Sequence, residues 1–363
     1  MSTNLQIESI TGDSDFPLII AGPCSAESLE QVVETGKAVA ACGRVSYYRA
    51  GIWKPRTRPD GFEGVGEKGL EWLNVMKRET GLKTAVEVAS PAHLEAALKA
   101  GIDMVWLGAR TSANPFSVQE IAGTLKGVDI PVMVKNPLHP DLKLWIGALE
   151  RIHGAGIKKI VAVHRGFYTY DNGPYRNLPM WEIPIELKRL IPELPVINDP
   201  SHISGKRNLV FETAQKALDL AMDGLMIETH ISPDNAKTDA NQQLTPLQLC
   251  DLLSQLVLRK EYGTADFEIV LEKIRKEVDD IDSELLQILF RRMEKIREIG
   301  LIKKENNITV LQIDRLRKMM KSRLKTGKEL GLDSKFVLKL LQLVHKESIQ
   351  LQTVIMNKKD TGI

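Results

Sequence analysis

Up to about residue 262, the chain alternates short apolar runs with amphipathic stretches. The amphipathic stretches, such as PAHLEAALKAG, have a helical period, and several end in Gly, a residue that often terminates helices. The apolar runs are continuous and rich in β-branched residues, as is typical of strands covered on both faces. There are eight of them: PLIIAGPCS, VSYYRAGIW, KTAVEVAS, DMVWLGAR, PVMVKNP, IVAVHRGF, PVINDPSH and GLMIETH.

Eight strand–helix units in roughly 250 residues match the size and count of a (β/α)8 barrel. An open, doubly wound sheet is the alternative, but no glycine-rich dinucleotide fingerprint follows the first run. We therefore predict an α/β fold, a (β/α)8 TIM barrel, over residues 1–262.

Beyond the barrel the pattern becomes purely helical. From Phe267 a single amphipathic pattern continues for about 40 residues, which corresponds to a helix roughly 60 Å long. Two shorter helical patterns follow, at about 310–326 and 333–356. We predict a linker over 263–266 and an all-α domain of three helices over 267–363.

Composition and charge narrow the class of partner. Hydrophobic residues make up 43% and charged residues 26%, a normal globular balance. A net charge of +2 gives no reason to expect nucleic acid as a partner. No apolar run approaches the roughly 20 residues of a membrane span, and the polar N-terminus lacks a signal-peptide core. Three cysteines are an odd number for a disulfide framework, so we expect a reducing, cytoplasmic setting.

In a barrel of this type, chemistry takes place where the strands run into their following loops. Chance would put mixed polar residues there, but cations and potential metal ligands dominate. In chain order these residues are Cys24, Arg49, Lys54, Glu87, Arg110, Lys135, Arg165, His202 and Glu228, with Asp239 in the loop after the eighth run.

Four of these residues could bind one metal ion. Cys24, His202, Glu228 and Asp239 offer a thiolate, an imidazole and two carboxylates. This mixture suits Mn²⁺, Fe²⁺, Co²⁺ or Zn²⁺ better than Ca²⁺ or Mg²⁺. Alone, Cys24 would be interpreted as a small core residue and His202 as the cap of a turn. Their joint placement at strand ends favours a divalent metal site.

The cations suggest anionic substrates. Arg110, Lys135 and Arg165 end three successive strands, so they should converge on one anion, because unpaired cations repel one another. Arg56 and Thr57 of KPRT offer a second anion site. A solvated charge run is the alternative for KPRTRP, but not for VMVK, where the cation interrupts an apolar strand. Two anion sites beside a metal suggest two phosphorylated substrates.

Over about residues 15–262 these motifs resemble 3-deoxy-D-arabino-heptulosonate 7-phosphate (DAHP) synthase, in the short form shared with 3-deoxy-octulosonate 8-phosphate synthases. The motifs are AGPCS, RAGIWKPRTRP, GART, VKNP, AVHRGF, DPSHISGKR, and IETH followed by TDANQQ. The resemblance implies a transferase that condenses phosphoenolpyruvate with erythrose 4-phosphate at the start of the shikimate pathway to the aromatic amino acids. KPRT favours the heptulosonate product over the octulosonate.

The resemblance also implies residue roles. Arg49, Lys54 and His202 would be catalytic, with Lys54 as candidate proton donor. The metal ligands would be Cys24, His202, Glu228 and Asp239. The phosphate of phosphoenolpyruvate would be held by Arg110, Lys135 and Arg165, its carboxylate and reacting region by Arg49 and Lys54, and the phosphate of the aldose by Arg56 and Thr57. The roles of Lys206 and Arg207 stay open.

The helical part carries cations of its own along its first helix. Arg292 and Lys303 are almost three turns apart, so they share a face about 16 Å long and could bind one small ligand. Arg275 is about 25 Å from Arg292 and on another face, so it cannot reach that ligand from the same chain. A solvated helix face is the alternative interpretation.

Over about 267–357 the helical part resembles the all-helical chorismate mutases, through IRKEVDDIDSELLQILFRR, GLIKKEN, IDRLR and LLQLVHKESIQLQ. The resemblance implies an isomerase that rearranges chorismate to prephenate, a reaction that needs charge placement rather than a nucleophile. The site would be lined by Arg275, Arg292, Lys303, Arg315, Ser348 and Gln352. Leu316 and Gln312 stand where the family has acids.

Three interpretations of the helical part remain open: a second enzyme, a binding module that senses chorismate or prephenate, and a structural element for dimerisation. A lone 60 Å helix cannot bury its apolar stripe against two shorter helices, and Arg275 needs the site of a partner chain. We therefore predict a homodimer through the helical domain. We also hypothesise that prephenate or chorismate bound there lowers synthase activity, an allosteric effect.

Overall fold

The computed structural model describes residues 5–8, 10, 16–54, 61–171, 173–260 and 262–357. The chain divides into two compact units, Met1–Glu261 and Tyr262–Ile363. The first unit contains a closed barrel of eight parallel strands in sequence order, in which the last strand pairs with the first. This confirms the predicted (β/α)8 barrel. The strands are β1 Leu18–Gly22, β2 Tyr47–Arg49, β3 Lys83–Val88, β4 Met104–Leu107, β5 Val132–Lys135, β6 Ile160–His164, β7 Val196–Asn198 and β8 Gly224–Glu228.

Helices follow the strands and cover the barrel, several of them capped as the sequence pattern suggests. Ser28, for example, accepts a hydrogen bond from the Gln31 amide at the start of the first helix. Two short 3₁₀ turns, Arg207–Leu209 and Pro233–Asn235, lie in the loops after β7 and β8. The helices are α1 Leu29–Ala40, α2 Lys68–Thr80, α3 Pro91–Lys99, α4 Ala109–Ser112, α5 Pro115–Thr124, α6 Leu142–Gly154, α7 Glu182–Leu190, α8 Pro200–Ser204, α9 Val210–Asp219 and α10 Pro246–Gln255.

The strands bury both faces, which explains their continuous apolar runs. Successive side chains alternate between two clusters: Ile20 and Trp106 pack in one, while Ile19 and Val105 pack in the other. This alternation follows from the period of two along a strand. The smaller cluster fills the barrel interior, so the polar residues at the strand ends lie above a packed apolar layer.

The end of β1 must approach β2 closely. Gly22 has φ of +145°, and a Cβ at this position would lie 2.2 Å from the Arg49 carbonyl oxygen. Only glycine tolerates both the backbone conformation and the contact. Gly22 also pairs with Glu228 across the β1–β8 junction. The segment that follows Gly22 is therefore held next to the ends of β2 and β8.

Cys42 and Cys250 form a disulfide with a Cα–Cα separation of 5.3 Å. The odd number of cysteines did not lead us to expect this bridge. Cys42 lies just after α1 and Cys250 lies in α10, and barrel closure between β8 and β1 brings these two helices side by side. Cys24 remains a free, buried thiol.

The second unit is an all-α arrangement, as predicted, of α11 Ala265–Glu305, α12 Ile313–Glu329 and α13 Ser334–Asn357. The first helix begins two residues before the predicted Phe267, because the Thr264 hydroxyl accepts a hydrogen bond from the Phe267 amide and caps it. Helix α11 packs against α13, where Gly300 lets Ile355 come close. None of the described helices combines the length and the apolar character needed to cross a bilayer.

Candidate active site

Three potential metal ligands meet at the β1–β8 junction. Cys24 follows β1, Glu228 ends β8 and Asp239 lies in the loop after β8. One ligand atom from each of these residues lies within 4.8 Å of the other two. The Cys24 Sγ is 3.4 Å from Asp239 Oδ2. The strand order of the barrel thus assembles donors that are about 200 residues apart in the chain.

His202 faces the same cluster from the short helix α8. Its Nε2 lies 3.7 Å from Glu228 Oε1 and 3.9 Å from Asp239 Oδ2. Its Nδ1 lies 2.8 Å from Asp199 Oδ2, and its backbone amide donates to Asp199 Oδ1 over 3.0 Å. Asp199 therefore orients the imidazole so that Nε2 points at the donor cluster, a common arrangement for histidines that bind metals. The four predicted ligands lie together.

The donor cluster fits a divalent transition metal. Glu228 Oε1 is buried and has no hydrogen-bond partner in the described part of the chain; its nearest cation is Arg49, whose Nη2 is 3.4 Å away. Burial, reinforced by Glu228, raises the pKa of the Cys24 thiol to about 12, so a thiolate here requires a cation beside it. A metal ion would satisfy both the carboxylate oxygen and the thiolate.

Arg49 and Lys54 lie beside the cluster. Arg49 is 1% exposed, and its guanidinium lies 4.9 Å from the centre of the Trp106 ring. Its Nε and Nη1 are buried without a hydrogen-bond partner among the described residues. Lys54 Nζ lies 3.0 Å from the Cys24 carbonyl oxygen and 3.2 Å from Cys24 Sγ. Because buried N–H groups rarely lack partners, these two donors of Arg49 are available to an anionic ligand.

A cavity of about 810 Å³ opens above the cluster, and cations converge on it. Burial lowers the pKa of Arg165 to about 10; nearby Asp199 opposes this, while Arg176 and Arg110 add to it. Repulsion of this kind is relieved when an anion binds between the cations. The residues lining the cavity include Arg49, Lys54, Glu87, Arg110, Lys135, Arg165, Arg176, His202 and Asp239.

Lys135 has an internal partner that sequence reasoning did not assign. Its Nζ donates a 2.7 Å hydrogen bond to Asp199 Oδ2, the oxygen that also faces His202. Burial by itself would raise the pKa of Asp199, but the charges of His202 and Lys135 outweigh it and hold that pKa well below its usual range. Asp199 therefore stays ionised. It contacts both His202 of the metal-donor cluster and Lys135 of the cations that line the cavity.

Two further residues come from the loop between β6 and α7. Arg176 Nη1 lies 3.0 Å from Asp239 Oδ1, and Asn177 Oδ1 accepts a 2.8 Å hydrogen bond from Arg165 Nη1. The sequence analysis missed both, because they are more than ten residues beyond the strand end. Only the fold of the loop returns them to the cavity.

Of the remaining residues considered in the sequence, two are not described by the structure and one has a structural role. Arg56 and Thr57 lie outside the described residues. Arg207, whose role was open, donates hydrogen bonds to the carbonyl oxygens of Gln243 and Ala240 and contacts Asp234. It therefore holds the loop that carries Asp239.

The helical unit brings part of its predicted site together. Arg292 Nη1 donates a 2.8 Å hydrogen bond to Ser348 Oγ. Gln352, one turn further along α13, is 6% exposed, and its Oε1 has no partner among the described residues. Lys303 Nζ donates to the Val310 carbonyl oxygen over 2.7 Å. Arg292, Ser348 and Gln352 therefore lie at the α11–α13 contact, whereas Lys303 contacts the turn after α11.

The remaining predicted residues of the helical unit are exposed. Arg275 lies 3.8 Å from Glu272, its neighbour one turn away on α11. Arg315 lies on the surface of α12. Within the described part of the chain, neither makes a hydrogen bond to Arg292, Ser348 or Gln352.

A closed (β/α)8 barrel with a buried metal-donor cluster beside a cationic cavity defines a class of barrel proteins suited to small anionic ligands. The chain belongs to the DAHP synthetase I family, whose model matches residues 2–263. It also carries a chorismate mutase type II domain, matched over residues 274–353.

Known relatives agree with this assignment. The chain is 33% identical over 226 residues to phospho-2-dehydro-3-deoxyheptonate aldolase of Thermotoga maritima, a match over 62% of this chain and 64% of that protein's length. It is 26% identical over 271 residues to 2-dehydro-3-deoxyphosphooctonate aldolase of a Synechococcus species, over 69% of this chain and 93% of that protein. The crystal structure of the DAHP synthase from Thermotoga maritima superposes with a TM-score of 0.61 at 28% identity, covering 68% of this chain and 70% of that one.

Proposed function

We propose that the barrel condenses phosphoenolpyruvate with erythrose 4-phosphate to give DAHP and inorganic phosphate, in a metal-dependent reaction. The observation that carries this proposal is that the metal-donor cluster and the partnerless donors of Arg49 lie beside one cavity lined by several cations. The methylene carbon of phosphoenolpyruvate forms a bond to the aldehyde carbon. Water adds at the enol carbon, and the C–O bond to phosphate then breaks.

The chain's own residues have distinct tasks in this proposal. Arg110, Lys135 and Arg165 bind the phosphate of phosphoenolpyruvate, since a bidentate guanidinium contact suits a phosphate. Arg49 binds the carboxylate through its free Nε and Nη1. Lys54 holds a proton beside the reacting carbon. Arg56 and Thr57 bind the aldose phosphate.

The metal site is formed by Cys24, His202, Glu228 and Asp239, with Mn²⁺, Fe²⁺, Co²⁺ or Zn²⁺ as the candidate ion. When bound, such an ion supplies Lewis-acid polarisation of a carbonyl oxygen. His202 is held for this role by Asp199, and Glu228 is fully buried.

The octulosonate reaction, with arabinose 5-phosphate, is the competing function of the barrel. Several relatives of about 26% identity carry the octulosonate name, whereas the relative of 33% identity carries the heptonate name. KPRT also favours the heptulosonate reaction. Initial rates with erythrose 4-phosphate and with arabinose 5-phosphate decide between them, and a preference for the pentose phosphate would overturn our choice.

For the helical domain we propose that it rearranges chorismate to prephenate. Support comes from Arg292, Ser348 and Gln352, which lie together at the α11–α13 contact. A binding module without turnover is the second candidate, favoured by Leu316 and Gln312, which replace acids of the family. Loss of chorismate by ultraviolet absorbance, measured together with ligand binding, separates the two.

We further propose a cytoplasmic homodimer that joins through its helical domains, works on small molecules rather than nucleic acid or membranes, and is inhibited by prephenate or chorismate. Exposed apolar residues on α11, such as Leu286 and Phe290, both 67% exposed, support the dimer. The Cys42–Cys250 bridge is unusual for the cytoplasm, and a thiol count on freshly isolated protein tests that setting.

The decisive experiment is a synthase assay with and without added divalent metal and chelator, followed by the mutase assay on the same sample. Phosphate release that requires both substrates and a metal is expected. Full activity in excess chelator, after proven removal of metal, would overturn metal dependence.

A further inference from the structure

A cavity of about 390 Å³ lies between α12 and α13 in the helical unit. Its lining includes Leu316 and Met320 from α12 and His345 and Ile349 from α13, with no carboxylate among the lining residues. The other lining residues are polar: Gln342, Lys346 and Gln350. Such cavities bind small ligands when a few polar groups fix their orientation.

The cavity adjoins the residues assigned to the mutase site. Leu316 directly follows Arg315 on α12. His345 lies one turn before Ser348 and two turns before Gln352 on α13, so the three side chains lie close to one line along that helix. Arg292, which donates to Ser348, is close enough for its charge to act on the His345 ring.

The His345 ring has a polar atom without a partner. Its Nε2 is buried and makes no hydrogen bond within the described part of the chain. Burial, and then the charge of Arg292, lower the pKa of His345, so the ring is neutral at neutral pH and carries one N–H. The charged side chains around it, Arg292 and Lys346, are cations and cannot accept that proton. Gln342 and Gln350 line the same cavity, but neither bonds to Nε2 within the described residues, so this atom is available to a ligand.

We propose that His345 Nε2 donates a hydrogen bond to a carboxylate of the cyclic dicarboxylate whose charge Arg292 and Ser348 hold, an inference that rests on the mutase function proposed above. The imidazole adds a directed donor without adding a charge to a region that already contains several cations. It also places a buried polar group beside Leu316, where it orients the ligand.

The test compares two replacements of similar size in the full chain. His345→Gln keeps an N–H donor near the position of Nε2, whereas His345→Leu removes it. We expect His345→Leu to lower kcat/KM for chorismate by roughly 10- to 100-fold, the range for a hydrogen bond to a charged group, and His345→Gln to stay within about threefold of the unchanged protein. Affinity for prephenate, measured by calorimetry, should fall in parallel.

Gln342→Leu is the matched control, because Gln342 lines the same cavity one turn before His345 but is exposed. It should change kcat/KM by less than about twofold if the effect belongs to the His345 donor. The melting temperature and the synthase activity should be the same in all three variants. Equal losses in the Gln and Leu variants, or losses that follow melting temperature, would show a packing role and overturn the inference.

The outcome for the unchanged protein separates this inference from the function on which it rests. If the unchanged protein binds prephenate without converting chorismate, affinity alone provides the same comparison of variants. If it neither converts chorismate nor binds prephenate, the proposed function fails and the inference fails with it. If it does either and His345→Leu matches it, the inference alone is wrong.

Discussion

The two candidate sites of this chain are built in different ways. In the barrel, donors from the segment after β1, from α8, from β8 and from the loop after β8 lie within a few ångströms of one another, and Asp199 contacts the His202 ring. In the helical unit, Arg292 and Ser348 meet, but Arg275 and Arg315 remain on the surface. A closed barrel encloses its site, whereas three helices leave one side of theirs open. The difference to test is therefore whether one chain or two chains enclose each site.

The largest expected effect is at the metal-donor cluster. Cys24→Ala or His202→Ala should lower synthase activity by about a thousandfold or more, because each removes one of four ligands from a preorganised site. Stopped or continuous assays of phosphoenolpyruvate consumption, with metal content measured on the same protein, test this. The mutase activity should be unchanged.

Cys42→Ala is the matched cysteine control for that experiment, because Cys42 lies outside the cavity. It should retain synthase activity. Unchanged activity of Cys24→Ala in the presence of chelator would contradict the role of the cluster.

Arg165→Ala should raise the KM for phosphoenolpyruvate by about 100-fold, because a charge-assisted, bidentate contact to phosphate is worth roughly 2–3 kcal/mol. Steady-state kinetics with erythrose 4-phosphate at saturation measure the effect. Arg165→Lys should recover part of the loss, since the charge returns without the planar fork. A KM that does not move in Arg165→Ala would show that this side chain serves only to hold Asn177.

Asp199→Asn tests whether metal binding in the barrel depends on Asp199, which contacts both His202 and Lys135. The amide should weaken metal binding by about 10- to 100-fold, because it no longer favours the orientation of the His202 ring. Metal titration in the absence of substrates gives this affinity independently of activity, and an unaltered metal affinity would refute the orienting role.

The open side of the helical site predicts complementation between chains. Arg275→Ala and Arg292→Ala should each be nearly inactive as mutases. After subunit exchange, an equal mixture should recover about a quarter of the original activity, because half of the dimers are mixed and each of these has one intact site. Exchange is followed with differently labelled chains. No recovery despite proven exchange would contradict shared sites.

The smallest expected effect is that of a ligand of the helical domain on the synthase activity of the barrel. Prephenate should inhibit the synthase severalfold in the unchanged chain, and Arg292→Ala should abolish that response, since a coupling of 1–3 kcal/mol corresponds to roughly 5- to 150-fold. Synthase rates at saturating prephenate measure it. Equal inhibition of both proteins, or of neither, would remove the regulatory role of the helical domain.

The strands and helices of this molecule were largely predictable from its sequence, because they depend on the periodic pattern of neighbouring residues. The eight apolar runs follow from strands buried on both faces, and the long period of α11 follows from one amphipathic helix. Parallel strands of a barrel all end on one side. Their positions in the sequence are therefore enough to group Cys24, His202, Glu228 and Asp239 as candidate metal ligands.

Tertiary structure alone decided the contacts that depend on how separate segments meet. Lys135 pairs with Asp199, Arg176 returns to Asp239 through a long loop, and Cys42 reaches Cys250 because the barrel closes. In the sequence, His345 is one polar residue within a helical pattern; in the structure, its Nε2 is buried without a partner among the described residues. The sequence determines which residues lie at a strand end or on a helix face, since both are periodic, but distances between segments depend on loop conformation and packing, which no local period encodes.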